Sequence, residues 1–363
     1  MIKLSAAALE NFVSSIFHAA GCSAEEGARV ARHLVSANLT GHDSHGVIRV
    51  PRYVQMAKDG AVYPDRTVAV VVDTPVLAVV DGQYGFGQTV ATQAVRIGID
   101  KCLAMGLSAV ALRNAGHIGR VGDWAEMAAE AGLVSVHFVN AVGSLLVAPF
   151  GGVERIFSTA PYAIGIPRPD APPLILDFAT SVVAEGKVLV ASRGGKKLPA
   201  NALVGPDGRE SDDPHLLYGD YSEGGDRNHQ GGPGAIRAFG DHKGSGLAFM
   251  CELLGGALTG TGATKADRRF ANGMLSIYID PQRLDAGHMF SGEVARYMDF
   301  VKSSKRIKAD SEILLPGEPE LRTKAERLAG GVPLTDETWA SIVAAARSVG
   351  VDERRIQAAM RPD

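Results

Sequence analysis

The chain has 363 residues, of which 46% are hydrophobic and 21% charged, with 37 Lys and Arg against 40 Asp and Glu. At roughly 150 residues per domain that length predicts two or three domains, or one elaborate one, with a sizeable core, and the composition excludes a disordered or fibrous chain. A net charge of -3 gives no global basic field for nucleic acid or anionic membrane.

Met1 to Phe17 mixes Lys3, Glu10 and Asn11 into its apolar residues, without the basic start and cleavage site of a signal peptide. The spacing of Leu9, Phe12, Val13, Ile16 and Phe17 predicts a first helix. Ser23 and Glu26 form a capping box ahead of a second, carrying Ala28, Val30, Ala31 and Leu34. Gly41 to Arg52 is polar and crowded with ionisable groups. At Val68 to Val80 β-branched residues take over, so a boundary is placed near residue 66. That run contains Asp73 and Pro75 and falls short of the roughly 20 residues of a membrane span.

From there helices and strands alternate: a helix over Gln88–Ala104, a strand over Ser108–Leu112, a helix over Val121–Ala131 and a strand over Leu133–Asn140. Pro173–Phe178 reads as a strand leading into a Ser181–Ala191 helix. Asp207 to Gly240 is a polar stretch with Gly-Gly pairs at 224/225 and 231/232; so long a segment is a lid, an oligomer contact or a mobile loop, and its composition favours mobility. Gly244–Leu258 reads as a small-residue helix, Leu275–Ile279 as a strand, and Trp339, Ile342 and Ala346 as the face of a closing helix. That end is expected to fold back onto the first helices, since neither buries its apolar face alone. The expected division is 1–65, a helical segment with an active-site motif; 66–310, a cofactor- and substrate-binding region; and 311–363, a segment packing back on the N-terminal helices. The three scattered cysteines, Cys22, Cys102 and Cys251, suggest neither a disulfide framework nor a cysteine-rich zinc site, and a reducing cytoplasm is the expected compartment.

Three clusters are candidates for chemistry, the plainer readings being a helix cap followed by solvated charges for the first and a tight strand-to-helix turn with a surface histidine for the second. Gly41-His42-Asp43-Ser44-His45-Gly46-Val47-Ile48-Arg49, with Tyr53 beyond, combines a proton-exchanging imidazole, hydroxyl and carboxylate groups that orient it, and a guanidinium that grips a carboxylate. Without a third ligand nearby, its two histidines do not make a metal site. Asn114-Ala115-Gly116-His117-Ile118-Gly119-Arg120 lies between a strand and a helix, where backbone amides meet phosphate. Phe239-Gly240-Asp241-His242-Lys243-Gly244-Ser245-Gly246 places its lysine before the glycine, the wrong order for a triphosphate loop but suited to a dinucleotide phosphate or ribose. Gly85-Phe86-Gly87 fails as a dinucleotide fingerprint, because Val90 stands at the third glycine. No Gly-x-Ser-x-Gly elbow or His-Glu-x-x-His pair occurs.

Together with Leu176-Asp177-Phe178-Ala179-Thr180-Ser181 and Leu315-Pro316-Gly317-Glu318, these clusters resemble, in order and from about residue 3 to 350, the malate/L-lactate dehydrogenase family, which also includes ureidoglycolate, sulfolactate and diketogulonate dehydrogenases and cyclic imino-acid reductases. The resemblance implies a mixed α/β, non-Rossmann NAD(P)-binding fold with a largely antiparallel sheet, built as a homodimer with active sites between domains. It implies a 2-hydroxy acid dehydrogenase using NAD or NADP on a small carboxylate substrate. His45, supported by Ser44, or His117 would exchange the proton; Arg49, Tyr53 and Thr159 would bind substrate. Cofactor contacts would fall on His117, Ile118, Gly119, Arg120, Val121, Phe178, Ala179, Thr180, His242, Lys243, Pro316, Gly317 and Glu318. The family's imino-acid reductases carry an aspartate ten residues after the acid of the Asp-x-Ala-Thr motif; here that place is Lys187. Reduction of a cyclic imine and non-catalytic metabolite binding are the competing readings.

Overall fold

Apolar side chains alternating along Leu107–Ala115, Val134–Val142 and Ala271–Ile279 build the centre of a seven-stranded sheet in the computed structural model, which describes residues 1–194, 197–222 and 227–360. The strand order is Ala69–Asp73, Leu77–Asp81, Leu107–Ala115, Ala271–Ile279, Val134–Val142, Tyr162–Ile166, Leu174–Phe178. Leu77–Asp81 and Leu107–Ala115 run parallel, and all other neighbours are antiparallel. The fold is therefore mixed α/β with a mainly antiparallel open sheet.

Helices Gly87–Met105 and Gly122–Glu130 share a core with the sheet, joining Val90, Val95 and Trp124 to Leu112, Met274 and Tyr278. The closest approach is at Gly98, where an added Cβ would lie 2.2 Å from the Tyr278 ring. A second core, with Phe157, Val188, Leu203, Leu217 and Ile236, surrounds a four-stranded sheet of short strands. The third joins both ends of the chain: Leu9, Ile16, Phe17, Leu34 and Tyr53 pack with Trp339, Ile342 and Ala346, and Ile2–Leu4 pairs antiparallel with Val332–Leu334.

Several elements differ from their sequence reading. The β-rich run Val68–Val80 is a hairpin, turning at Thr74, whose amide and hydroxyl bond back to Leu77. The helix expected over Ser181–Ala191 spans Glu185–Ser192, because Ser181 bridges Ala238 and Val182 donates its amide to Arg237. The Gly244–Leu258 helix is α-helical over His242–Cys251 and then widens to a π-helix at Glu252–Ala257. There the buried Glu252 carboxylate accepts from Ser158 (2.7 Å), Asn140 (3.1 Å) and the Thr264 amide (2.8 Å), a pull outside the helix that local propensity does not register. Helices Phe290–Lys302 and Glu318–Gly330, which the sequence reading does not include, bury no residue fully.

The polar stretch is held down at many points. Arg155 donates to the carbonyls of Gly234 (2.6 Å), Gly232 (2.7 Å), Leu217 (3.1 Å) and His229, while Arg227 lies over Tyr221 and bonds Ser192. Arg155 reaches in from outside the segment and Arg227 ties it from within, so a polar, glycine-rich composition is anchored by guanidinium contacts. The pair at 224/225 lies outside the described residues.

Candidate active site

Asn38, buried near the end of helix Ala24–Leu39, shapes the first cluster. Its Oδ1 accepts the Val47 amide (2.8 Å) and its Nδ2 donates to Asp43 (2.6 Å). A Cβ at Gly46 would lie 2.2 Å from that same Oδ1, so glycine is required there. Arg327, on the late helix Glu318–Gly330, grips Asp43 bidentately at 2.6 and 3.0 Å. Asp43–His45 and Val47–Arg49 consequently form two short 3-10 turns that hold Ser44, His45 and Arg49 together.

Ser44 Oγ lies 3.0 Å from His45 Nδ1, and Arg49 Nε donates to the Ser44 carbonyl at 2.6 Å. His117 arrives from the strand-to-helix turn, its ring stacked on His45 with centroids 5.6 Å apart and planes 15° apart. Tyr53 Oη lies 2.5 Å from His117 Nδ1 and accepts from Gln88 Nε2 at 3.1 Å. The Tyr53 hydroxyl thus bridges Gln88 and His117 Nδ1 and orients the imidazole; where it gives its proton to Nδ1, the proton of neutral His117 stands on Nε2. Gly87 makes this approach possible: a Cβ there would stand 2.2 Å from the His117 carbonyl oxygen.

Burial pulls His117 down to about 3, with Arg49 adding to the effect, and burial followed by the charges of His117 and Arg49 holds His45 well below the usual histidine range. Burial pushes Tyr53 up to about 12. Both rings are therefore neutral at pH 7, beside a permanent cation.

The expected cofactor stretches meet along the strand Leu174–Phe178. At its far end the Thr180 amide donates to Thr159 (3.0 Å), and the Phe239 amide, just before the His242–Lys243 helix start, donates to Thr180 (3.1 Å). Phe178 packs on Phe239 with ring centroids 5.2 Å apart. At its near end Gly317, at φ +91°, lies against Ile175. Asp177 accepts the Gly122 amide at 2.8 Å and so holds the Ile118–Val121 turn beside the strand. His242 and Lys243 are exposed at the start of a ten-residue helix whose N-cap, Asp241, makes no side-chain capping bond.

Some predicted residues turn elsewhere. The Arg120 guanidinium is buried and bound to Asp123 (3.0 Å) and Glu126 (2.8 Å). Glu318 bonds Lys302 and the Leu315 amide. Thr159 is seen through its carbonyl, bonded by Thr180, and His42 faces Glu320 at 3.4 Å. Lys187 is exposed, whereas Glu185, two residues earlier, reaches Arg49. Glu185, Gln88 and Asn38 were not singled out by sequence, since a lone Glu, Gln or Asn on a helix has no distinguishing spacing. For Gln88 a signal existed in Gly87 beside it.

A sequence profile described as malate/L-lactate dehydrogenase matches residues 4–343. The chain belongs to that family. It is an oxidoreductase of 2-hydroxy acids, acting on CH–OH groups with NAD or NADP. The chain is 38% identical over 363 residues to hydroxycarboxylate dehydrogenase B of Escherichia coli O157:H7, covering 98% of this chain and 97% of that protein. It is 31% identical over 358 residues to L-lactate dehydrogenase of Cupriavidus necator, covering 96% and 99%. A solved structure from E. coli, described as a putative malate/lactate dehydrogenase, superposes with TM-score 0.91 at 37% identity over 99% of this chain and 98% of that one.

Proposed function

We propose that this dehydrogenase binds the carboxylate of a 2-hydroxy acid on Arg49 and exchanges the hydroxyl proton with His45, while His117 donates a hydrogen bond from Nε2 to the same oxygen. The observation that carries this reading is the stacking of two neutral imidazoles beside one guanidinium. A bound nicotinamide would supply the hydride acceptor for oxidation and the hydride donor for reduction. In oxidation His45, with Nδ1–H donating to Ser44, takes the O–H proton on Nε2 as the hydride leaves; in reduction His45 in its protonated form returns it. Arg49 lowers the proton affinity of both rings, so a substrate carboxylate that neutralises it also makes His45 easier to protonate.

The residues present fit a dinucleotide: the uncapped helix start with exposed Lys243 offers amides and a cation to phosphate, and Phe178–Thr180 and Pro316–Glu318 border the same strand. On this reading the cofactor lies on a non-Rossmann, mainly antiparallel scaffold. Exposed apolar residues, Phe249 and Met250 on the His242–Cys251 helix and Leu258 just past the π-helix, together with Val70 to Val72 on an edge strand, support a homodimer. Three buried free cysteines support a cytoplasmic setting.

The test is steady-state kinetics with pyruvate, oxaloacetate and Δ1-piperideine-2-carboxylate, each with NADH and NADPH. Turnover of a 2-oxo acid is expected; turnover of the imine alone would reassign the enzyme as an imino-acid reductase.

A further inference from the structure

Glu185 stands where a substrate carboxylate has to arrive. Its Oε2 lies 3.5 Å from an Arg49 terminal nitrogen, with only 17% of the Glu185 side chain and 25% of Arg49 exposed. Its Oε1 accepts from the Tyr218 hydroxyl at 2.7 Å, so the carboxylate is held from two sides. The next residue fixes the backbone: a Cβ at Gly186 would lie 2.5 Å from Ser44 Cβ and 3.5 Å from Arg49, which presses the start of the Glu185–Ser192 helix onto the catalytic turn.

This arrangement sets the charge of the pocket. One guanidinium faces one fixed carboxylate at 3.5 Å, so Arg49 is partly compensated before substrate binds, and the first substrate carboxylate shares it with Glu185. Among the described residues near Glu185, a second meets no buried cation that is not already committed: Arg120 is held by Asp123 and Glu126, and Arg193 by Glu337. Arg155 is occupied by four backbone carbonyls, and Arg52 and Lys187 are exposed to water that screens them.

We infer that Glu185 is a specificity-determining residue that selects monocarboxylate 2-hydroxy and 2-oxo acids, with neutral or hydrogen-bond-donating side chains, and rejects those ending in a second carboxylate. The inference rests on the dehydrogenase reading and on Arg49 as the carboxylate clamp. Two like charges about 7 Å apart, at an effective dielectric constant of about 20, weaken binding about 50-fold.

The experiment compares oxaloacetate with 2-oxosuccinamate, its uncharged terminal amide, in wild type, Glu185→Gln and Glu185→Asp. Wild type is expected to favour the amide by at least about 10-fold in kcat/KM, Glu185→Gln to narrow that ratio about 10-fold or more, mainly through KM for oxaloacetate, and Glu185→Asp to keep it. A purely structural role for Glu185 would lower both substrates together, and a ratio changed by less than about twofold in Glu185→Gln, or a wild type that prefers oxaloacetate, overturns the inference. Absence of turnover of both compounds and of pyruvate with either nicotinamide would overturn the dehydrogenase reading along with it.

Discussion

The two halves of the candidate site are built on opposite principles. Around His45, Arg49 and His117 every group is held by another: Ser44 beside His45, Tyr53 and Gln88 beside His117, Asn38 and Arg327 beneath the turn. At His242 and Lys243 the side chains stand in solvent at an open helix start. The difference teaches that proton exchange needs preorganised, desolvated groups, whereas gripping a phosphate needs only charge and free amides.

If the contrast is right, His45→Asn should show the largest loss, with kcat falling about 100- to 10,000-fold while the Kd for NADH, followed by fluorescence, changes little. Arg49→Ala should come next, raising KM for the 2-oxo acid about 100-fold and lowering kcat through misalignment; unchanged kcat/KM would remove the arginine from the site. Tyr53→Phe should lower kcat about 10-fold, since His117 loses the hydroxyl that orients its ring. Lys243→Ala should raise KM for the cofactor about 10-fold with kcat nearly intact, and a kcat defect as large as that of His45→Asn would erase the distinction between the two halves.

The smallest effect is a displacement in pH. His45 must be neutral to act as base, and its proton affinity is depressed in the free enzyme, so kcat/KM for hydroxy-acid oxidation should fall only well below pH 6.5, as pH drops through that lowered value. Carboxylate on Arg49 relieves part of the depression, so the acid limb of kcat should lie at higher pH than that of kcat/KM. Coincident limbs would show that Arg49 does not act on His45.

What the sequence by itself determined was local. Capping at Ser23 and the helical spacing of Leu9 to Phe17 depend on near neighbours and were legible from spacing, while the motifs carrying His45, Arg49 and His117 stood out through their order along the chain and its resemblance to a family. The capping box illustrates this, since Ser23 does accept the Glu26 amide at 3.1 Å. Tertiary structure alone decided the rest. It stacked one imidazole on another 72 residues away in sequence, paired the first strand with one more than 300 residues later, opened a π-helix to satisfy buried Glu252, and turned Glu185 rather than Lys187 toward Arg49. The physical reason is that burial and charge pairing depend on distance in space. A helix-start glutamate has no pattern of its own until a guanidinium and a phenol from other parts of the chain are packed around it.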